Sequence, residues 1–521
     1  MERSEALLRL AKPKRKGLVG LVFSRLFLVA ALLVLEVLLF VGLYLWFKEY
    51  FPHFIVVQTV FALGMVLYLF NCSMDSTAKL TWLFIIALLP IPGAIFLFFT
   101  QKNFGHRTLK SRSEEMIRRT KDAIAQDPAV LEKLNADGSG TDDLHRYVNR
   151  SGCFPIFENT AVRYFPSGEE KFAAMLEELE RAEKFIFMEY FIIEEGYMWG
   201  RILEILVRKV REGVDVRVMY DGMCEISNLP ADYPKRLEAQ GIRAKAFAPI
   251  QPLVSTHYNY RDHRKILVID NKVAFNGGVN LADEYINRKE RFGRWKDAAV
   301  MLRGEAVPSF TLMFLQMWNI NEREPDFSAV DAEGLSVPSA GFVMPYGDCP
   351  LDGDKVGENL YMDILYHANR YVHIMTPYLI LDGELERALI YAGERGTDVK
   401  IILPGIPDKK LAWALAKTHY ASLLASGVKI YEYVPGFVHA KSFVADDREA
   451  VVGTINLDYR SLYHHFECGT YMYKTGCVAD IERDFQETLA ECRPVTMETI
   501  RDEKWTYRLA GGLMKLIAPL L

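Results

Sequence analysis

His263–Asn280 reads HRKILVIDNKVAFNGGVN, and His439–Asn456 reads HAKSFVADDREAVVGTIN. In both stretches Lys follows His by two positions, Asp follows it by seven and Asn by seventeen. Seven positions agree in type and spacing, which makes coincidence a poor explanation and internal duplication a good one. Side chains alternate faces along a strand, so HxK on a strand puts imidazole and ammonium on one face, pointing into one cavity. Ile266, Val268 and Phe443 then help form the hydrophobic interior. Asp270 and Asp446 belong to the same motif set, but they lie an odd number of positions from their histidines, at a strand end before a turn. That spacing gives them a structural part.

Outward from the motifs the duplication continues. Lys184–Glu195 (KFIFMEYFIIEE) predicts a strand, Met198–Glu212 a helix and Val214–Tyr220 a second strand. Downstream the order recurs as Arg370–Leu381, Glu384–Arg395 and Thr397–Leu403, with EGVDV at Glu212–Val216 matched by RGTDV at Arg395–Val399. Two similar α/β halves follow, joined near Ser336–Asp352 where Pro and Gly cluster.

The N-terminal hundred residues are different in kind. Leu26–Phe47 is an almost unbroken apolar run of 22 residues, enough to cross about 30 Å of hydrocarbon, with Glu36 as its one acidic residue. Phe54–Phe70 and Leu80–Phe99 are further candidate spans, the last carrying Pro90, Pro92 and Gly93 as a kink. Six basic residues between Arg3 and Lys16 precede the first run and seven between Lys102 and Lys121 follow the last. The positive-inside rule wants both flanks in the cytoplasm, and three full crossings cannot deliver that. One segment is therefore expected to fall short of crossing, the Phe54–Phe70 and Glu36-bearing runs being the two candidates.

Composition closes off several classes. The 521 residues carry 62 basic and 67 acidic side chains, a formal charge of −5, which offers no bulk positive field for nucleic acid. Seven scattered cysteines without a CxxC pair argue against a disulfide framework and a structural zinc site, and suit a reducing compartment.

Two copies facing each other would supply two His, two Lys and two Asn: a phosphate site with an acid and a base. A neutral imidazole can attack the phosphorus of a phosphodiester while the other, protonated, gives its proton to the leaving alkoxide. Lys265 and Lys441 stabilise the equatorial oxygens. Asn280 and Asn456 can donate amide hydrogens to phosphoryl oxygen, with Gly278 and Thr454 beside them as further substrate contacts. Each imidazole needs an orienting carboxylate; Glu467 is the candidate for one and Asp297, in RWKD, for the other, with Glu284 as a substitute for Asp297. The set calls for no metal or other cofactor, because the two lysines would crowd a cation with positive charge and no HExxH-like spacing is present. His257 and His464-His465 are read as surface or core residues.

The paired HxKxxxxDxxxxxxGxxN motifs resemble those of the phospholipase D superfamily, and nearly the whole chain, including WLFIIALLPIPGAIF at Trp82–Phe96, resembles the bacterial cardiolipin synthases. The resemblance implies two pseudo-symmetric phospholipase D-like α/β/α halves, residues 106–345 and 346–521, behind a membrane region at 1–105 with two or three transmembrane helices. It implies transfer of a phosphatidyl group from one phosphatidylglycerol to another through a phosphatidyl-histidine, giving cardiolipin and glycerol without a metal. The nucleophile would lie in the first motif and the acid/base in the second. The implied place is the cell membrane, multi-pass, with the catalytic region cytoplasmic, lipids as partners and homo-oligomerisation left open. A phospholipase D hydrolase or phosphatidylserine synthase would use the same residues. One departure is Gly277-Gly278, where the family often has Gly-Ser; the second copy keeps a hydroxyl in Thr454.

Overall fold

The structure is a computed structural model that describes residues 8–11, 51–101, 107–249, 260–330 and 335–520, with five further positions between 34 and 45. The expected span Leu26–Phe47, apart from those five positions, and His257 lie outside the described residues.

Seven strands form the first sheet: β1 (Thr160–Phe165), β2 (Phe185–Tyr190), β3 (Asp215–Asp221), β4 (Arg243–Phe247), β5 (Lys265–Ile269), β6 (Val273–Gly277) and β7 (Ala299–Gly304). Their spatial order is β1-β7-β6-β5-β2-β3-β4. The second sheet contains β8 (Phe342–Asp348), β9 (Tyr371–Met375), β10 (Asp398–Pro404), β11 (Lys429–Tyr433), β12 (Ser442–Ala445), β13 (Glu449–Gly453), β14 (His465–Tyr473) and β15 (Cys492–Pro494). It runs β8-β14-β13-β12-β9-β10-β11-β15, the first order repeated strand for strand with one added edge strand. In both, the β2-β3-β4 or β9-β10-β11 side is parallel and the remainder antiparallel. The β8 strand begins at Phe342, so the second sheet starts a little before the 345/346 boundary read from sequence.

The central strands explain the burial. All six residues of β2, FIFMEY, are buried, as expected of a strand covered on both faces. The helix Tyr197–Arg211 packs over the sheet with Trp199, Ile202, Leu203 and Leu206 inside. Its last turn carries Arg208, Lys209 and Arg211, which suit the negative end of the helix dipole.

The motif aspartates occupy a special backbone position. Asp270-Asn271 have φ of 56° and 53°, and Asp446-Asp447 have 55° and 57°, each pair forming the centre of a tight turn between neighbouring strands. Two consecutive positive φ values are the mirror-image turn that matches hairpin twist, and Asp and Asn are among the few side chains that tolerate them. The Asp270 carboxylate accepts the N–H groups of Glu183, Lys184 and Phe185 at 2.7–2.8 Å. Asp446 does the same for Asn369, Arg370 and Tyr371 at 2.8–2.9 Å. Each aspartate therefore ties its hairpin to the start of the central strand.

Before the sheets, among the described residues, stand three apolar helices, Phe51–Asn71, Ser76–Leu88 and Pro90–Gln101. The third sequence candidate, Leu80–Phe99, does not form one span. Its chain breaks at Leu89 (φ −133°, ψ 73°) and folds back, so the Trp82 and Phe96 rings lie 5.3 Å apart. In a continuous helix fourteen residues would separate them by about 21 Å. Gly93 permits the bend, because a Cβ there would lie 3.1 Å from Ile85. The two arms, 13 and 12 residues, are each under about 20 Å long and fall short of a bilayer core. Among the described residues, only Pro52–Asn71 is a helix long and apolar enough to cross a membrane.

Candidate active site

Two short parallel ladders join the halves, and each motif histidine follows from one. Arg261–Asp262 pairs with His465–Phe466, and the His263 N–H continues the ladder to Phe466 C=O at 3.0 Å. Gly436–Val438 pairs with Arg294–Lys296, and the His439 N–H bonds Lys296 C=O at 2.7 Å. The histidines therefore sit between an inter-half ladder and a sheet strand, not on the strand itself: β5 begins at Lys265 and β12 at Ser442. A carboxylate ends each ladder. Glu467 follows Phe466, and Asp297 follows Lys296.

The consequence is a crossed pairing. His263 Nδ1 lies 2.9 Å from both Glu467 oxygens, and His439 Nδ1 lies 2.8 Å from Asp297 Oδ2. Each imidazole is held by a carboxylate of the opposite half, with both acids fully buried. An Nδ1–H given to a carboxylate leaves Nε2 with its lone pair. Lys265 and Lys441 each donate to the carbonyl of their own histidine, and Lys441 Nζ is 2.9 Å from His439 Nε2.

Electrostatics sets the resting charges. Burial, then the charges of Lys265 and Lys441, hold His263 well below the ordinary imidazole value. Burial and Lys441 bring His439 down to about 4, against the pull of Asp297. Both rings are neutral at pH 7. Burial brings Lys441 down to about 7 and Lys265 to about 8. Burial opposes ionisation of Asp297, but His439, Lys441 and the Ala298 N–H overcome it and leave the carboxyl at about 2.

The remaining residues singled out from sequence divide. Asn280 is buried and already engaged, accepting from Ile192 N–H at 3.0 Å and donating to Tyr285 Oη at 2.8 Å. Asn456 is buried, with an Oδ1 that lacks a hydrogen-bond partner. Thr454 does not offer its hydroxyl to a ligand; Oγ1 donates to Glu467 and accepts the Cys468 N–H at 3.0 Å. Gly278 lies against Asp297, where a Cβ would be 2.0 Å from Oδ1. Glu284 is not on a histidine: it pairs with Arg291 at 2.7 Å. Asp270 and Asp446 each spend their carboxylate on three backbone amides at the start of the central strand.

Three ring residues escaped the sequence reading. The Phe191 ring is 4.9 Å from His263, while the Tyr285 and Trp295 rings are each 5.3 Å from His439. His465, expected to be a surface or core residue, is buried with its ring 5.2 Å from His263 and Nδ1 3.5 Å from Glu467. Its signal was the spacing HFE: alternation along a strand puts His465 and Glu467 on one face. His263, His465 and Glu467 bring ligand-type atoms within 4.8 Å of one another, as do Glu358, Asp382 and Glu384. In the first group the nearby ammonium charges of Lys265 and Lys441 oppose a bound dication.

The family described as cardiolipin synthase, PLD-like domain, matches residues 175–318 and 361–489. An uncharacterized protein of Streptococcus mutans serotype c is 59% identical over 88% of this chain and all of its own. A cardiolipin synthase of Halalkalibacterium halodurans is 32% identical over 94% of this chain and 99% of its own. Cardiolipin synthase 2 of Bacillus anthracis is 32% identical, over 89% and 90%. Among solved structures, a phosphatidylserine synthase of Haemophilus influenzae superposes with a TM-score of 0.56 at 16% identity, over 73% of this chain and all of that one.

Proposed function

Because the chain belongs to the cardiolipin synthase family with its phospholipase D-like domain, and is a phosphatidyltransferase, we propose that it joins two phosphatidylglycerol molecules into cardiolipin and glycerol. The observation that carries this reading is the crossed pair of imidazoles, each held at Nδ1 by a buried carboxylate. His263, the imidazole that burial and two lysines make hard to protonate, uses its Nε2 lone pair as nucleophile. The new N–P bond forms as the bond from phosphorus to the headgroup glycerol oxygen breaks. His439 gives that oxygen a proton. It reaches its imidazolium form with the bound phosphodiester anion offsetting the lysine charges and with ionised Asp297 on Nδ1. In the second half-reaction a headgroup hydroxyl of another phosphatidylglycerol loses its proton to His439 and attacks phosphorus, and the N–P bond breaks. Lys265 and Lys441 carry the charge of the equatorial oxygens.

The hairpin reconciles this chemistry with the basic flanks. If Leu26–Phe47 and Pro52–Asn71 both cross while the arms Ser76–Leu88 and Pro90–Gln101 enter and return, both basic flanks and the catalytic halves share the cytoplasmic face.

The decisive experiment incubates detergent-purified protein with phosphatidylglycerol alone and identifies products by mass spectrometry, with acid-quench trapping of labelled lipid on His263→Asn and His439→Asn. Cardiolipin plus glycerol is expected, with no adduct on His263→Asn and turnover of His439→Asn lower by about 10²–10⁴-fold. Phosphatidic acid as the main product overturns the reading, and an adduct mapped to His439 swaps the two roles.

A further inference from the structure

The C-terminal helix Trp505–Lys515 has two unlike faces. On one, Gly511 and Met514 are buried against the helix Lys410–Ala425; a Cβ on Gly511 would lie 2.4 Å from Ala414 C=O, so the two backbones approach closely. The Tyr507 ring meets Trp413 edge-on at 5.6 Å. The other face is apolar and open: Trp505 is 71% exposed, Leu509 53%, Leu513 57% and, one turn on, Leu516 39%. These four follow the i, i+4, i+8 and i+11 spacing of a single helical stripe. Lys504, Arg508 and Lys515 fall within about 40° of one another along one margin of that stripe, at 100° per residue.

What lies beyond the helix says what covers it. Ala518 and Ile517 pack with Ile380, Leu415 and Tyr459 of the second half. Leu520 packs against the cluster of Leu69, Trp82, Ile85, Ile86 and Leu97, which holds the hairpin to the spanning helix. Through the five tail residues 516–520 the helix is thus joined to the N-terminal helices, where Ile91, Ile95 and Phe98 are also exposed.

We propose that helix Trp505–Lys515 lies in the headgroup region of the same membrane leaflet, with its apolar stripe among acyl chains and its basic margin against lipid phosphates. A short helix with Trp and Leu on one side and Lys or Arg beside them is the form that interfacial helices take. Its work is to hold the second half down on the bilayer, so that the motifs face lipid still in the membrane. This rests on the membrane placement proposed above, and the test separates the two.

The full chain, in vesicles of phosphatidylglycerol and phosphatidylethanolamine, carries a benzophenone side chain at position 509, at position 95 on the hairpin, or at position 143 as a surface control. Lipid adducts are expected at 509 and 95 and none at 143. An adduct at 95 without one at 509 overturns the proposal alone, and so does a crosslinked dimer at 509. No adduct at either overturns the membrane placement with it. In parallel, Leu509→Glu with Leu513→Glu is expected to raise the apparent KM for vesicular phosphatidylglycerol at least tenfold and to leave turnover of monomeric dihexanoyl-phosphatidylglycerol within twofold, while Leu509→Met with Leu513→Met behaves as the parent. An unchanged vesicular KM overturns the proposal.

Discussion

The two carboxylates solve one problem with different lengths of side chain. Glu467 has an extra methylene, and the Thr454 hydroxyl donates to it; Asp297 is shorter, and the residue facing it is Gly278. A side chain at 278 collides with Asp297 Oδ1, so Gly278→Ser, although it restores the residue common in the family, is expected to push Asp297 off His439 and lower kcat at least about tenfold. Unchanged or raised kcat in steady-state assays would refute this. The free enzyme's charges also shape kcat/KM against pH. As pH falls well below the ordinary imidazole value, His263 takes up a proton and loses the lone pair that attacks phosphorus. As pH rises through about 7 to 8, Lys441 and then Lys265 lose the protons that attract phosphate. A bell is expected, and Lys441→Arg should move its alkaline limb upward, because guanidinium stays charged. At this scale the two acids that meet the histidines were legible in the sequence by their type. Which acid serves which ring was not, because the partners are 204 and 142 residues apart and nothing local encodes the pairing.

The hairpins at Asp270 and Asp446 show how far one residue can govern an element. Asp270→Ala removes the acceptor for three N–H groups and places Ala at a φ of 56°. On the order of 3 kcal/mol of stability should go, since an orphaned buried N–H costs about 1–3 kcal/mol and the left-handed backbone adds about 1. Asp446→Ala should cost less, because the bonds to Asn369 and Arg370 are exposed. Denaturant unfolding of the two variants checks the order, and equal losses would contradict it. The central elements of the first half could be read from periodicity: β3 and Tyr197–Arg211 lie within one residue of the reading at each end, while β2 is shorter than the stretch Lys184–Glu195. The apolar hairpin could not. Hydropathy runs unbroken from Leu80 to Phe99, and the turn at Leu89 is signalled only by Pro90, Pro92 and Gly93, which equally fit a kink. The histidines were placed on strands for a similar reason: the alternation that marks β5 extends two residues beyond its first ladder bond.

At the scale of the molecule, each motif histidine meets a carboxylate of the other half, and the function proposed above makes one site of the two. Mixing His263→Asn chains with His439→Asn chains should therefore restore no cardiolipin synthesis, because each chain keeps its defect within its own site. Recovered activity would show that halves exchange between chains. The duplication itself was plain in the sequence; the ladders that lock the halves together, Arg261–Asp262 on His465–Phe466 and Gly436–Val438 on Arg294–Lys296, are too short for any pattern to announce. The crossed acids also give the enzyme a safeguard in time. In the membrane placement proposed above, the apolar helices precede both motifs and would bring the growing chain to the bilayer before His263 is made. His263 then follows, but its carboxylate is encoded 204 residues later. At about 5–20 residues per second that is a delay of roughly 10–40 s. On the mechanism proposed above, a nascent chain would hold an unoriented imidazole through that interval and stay chemically silent until nearly the last of it has been translated.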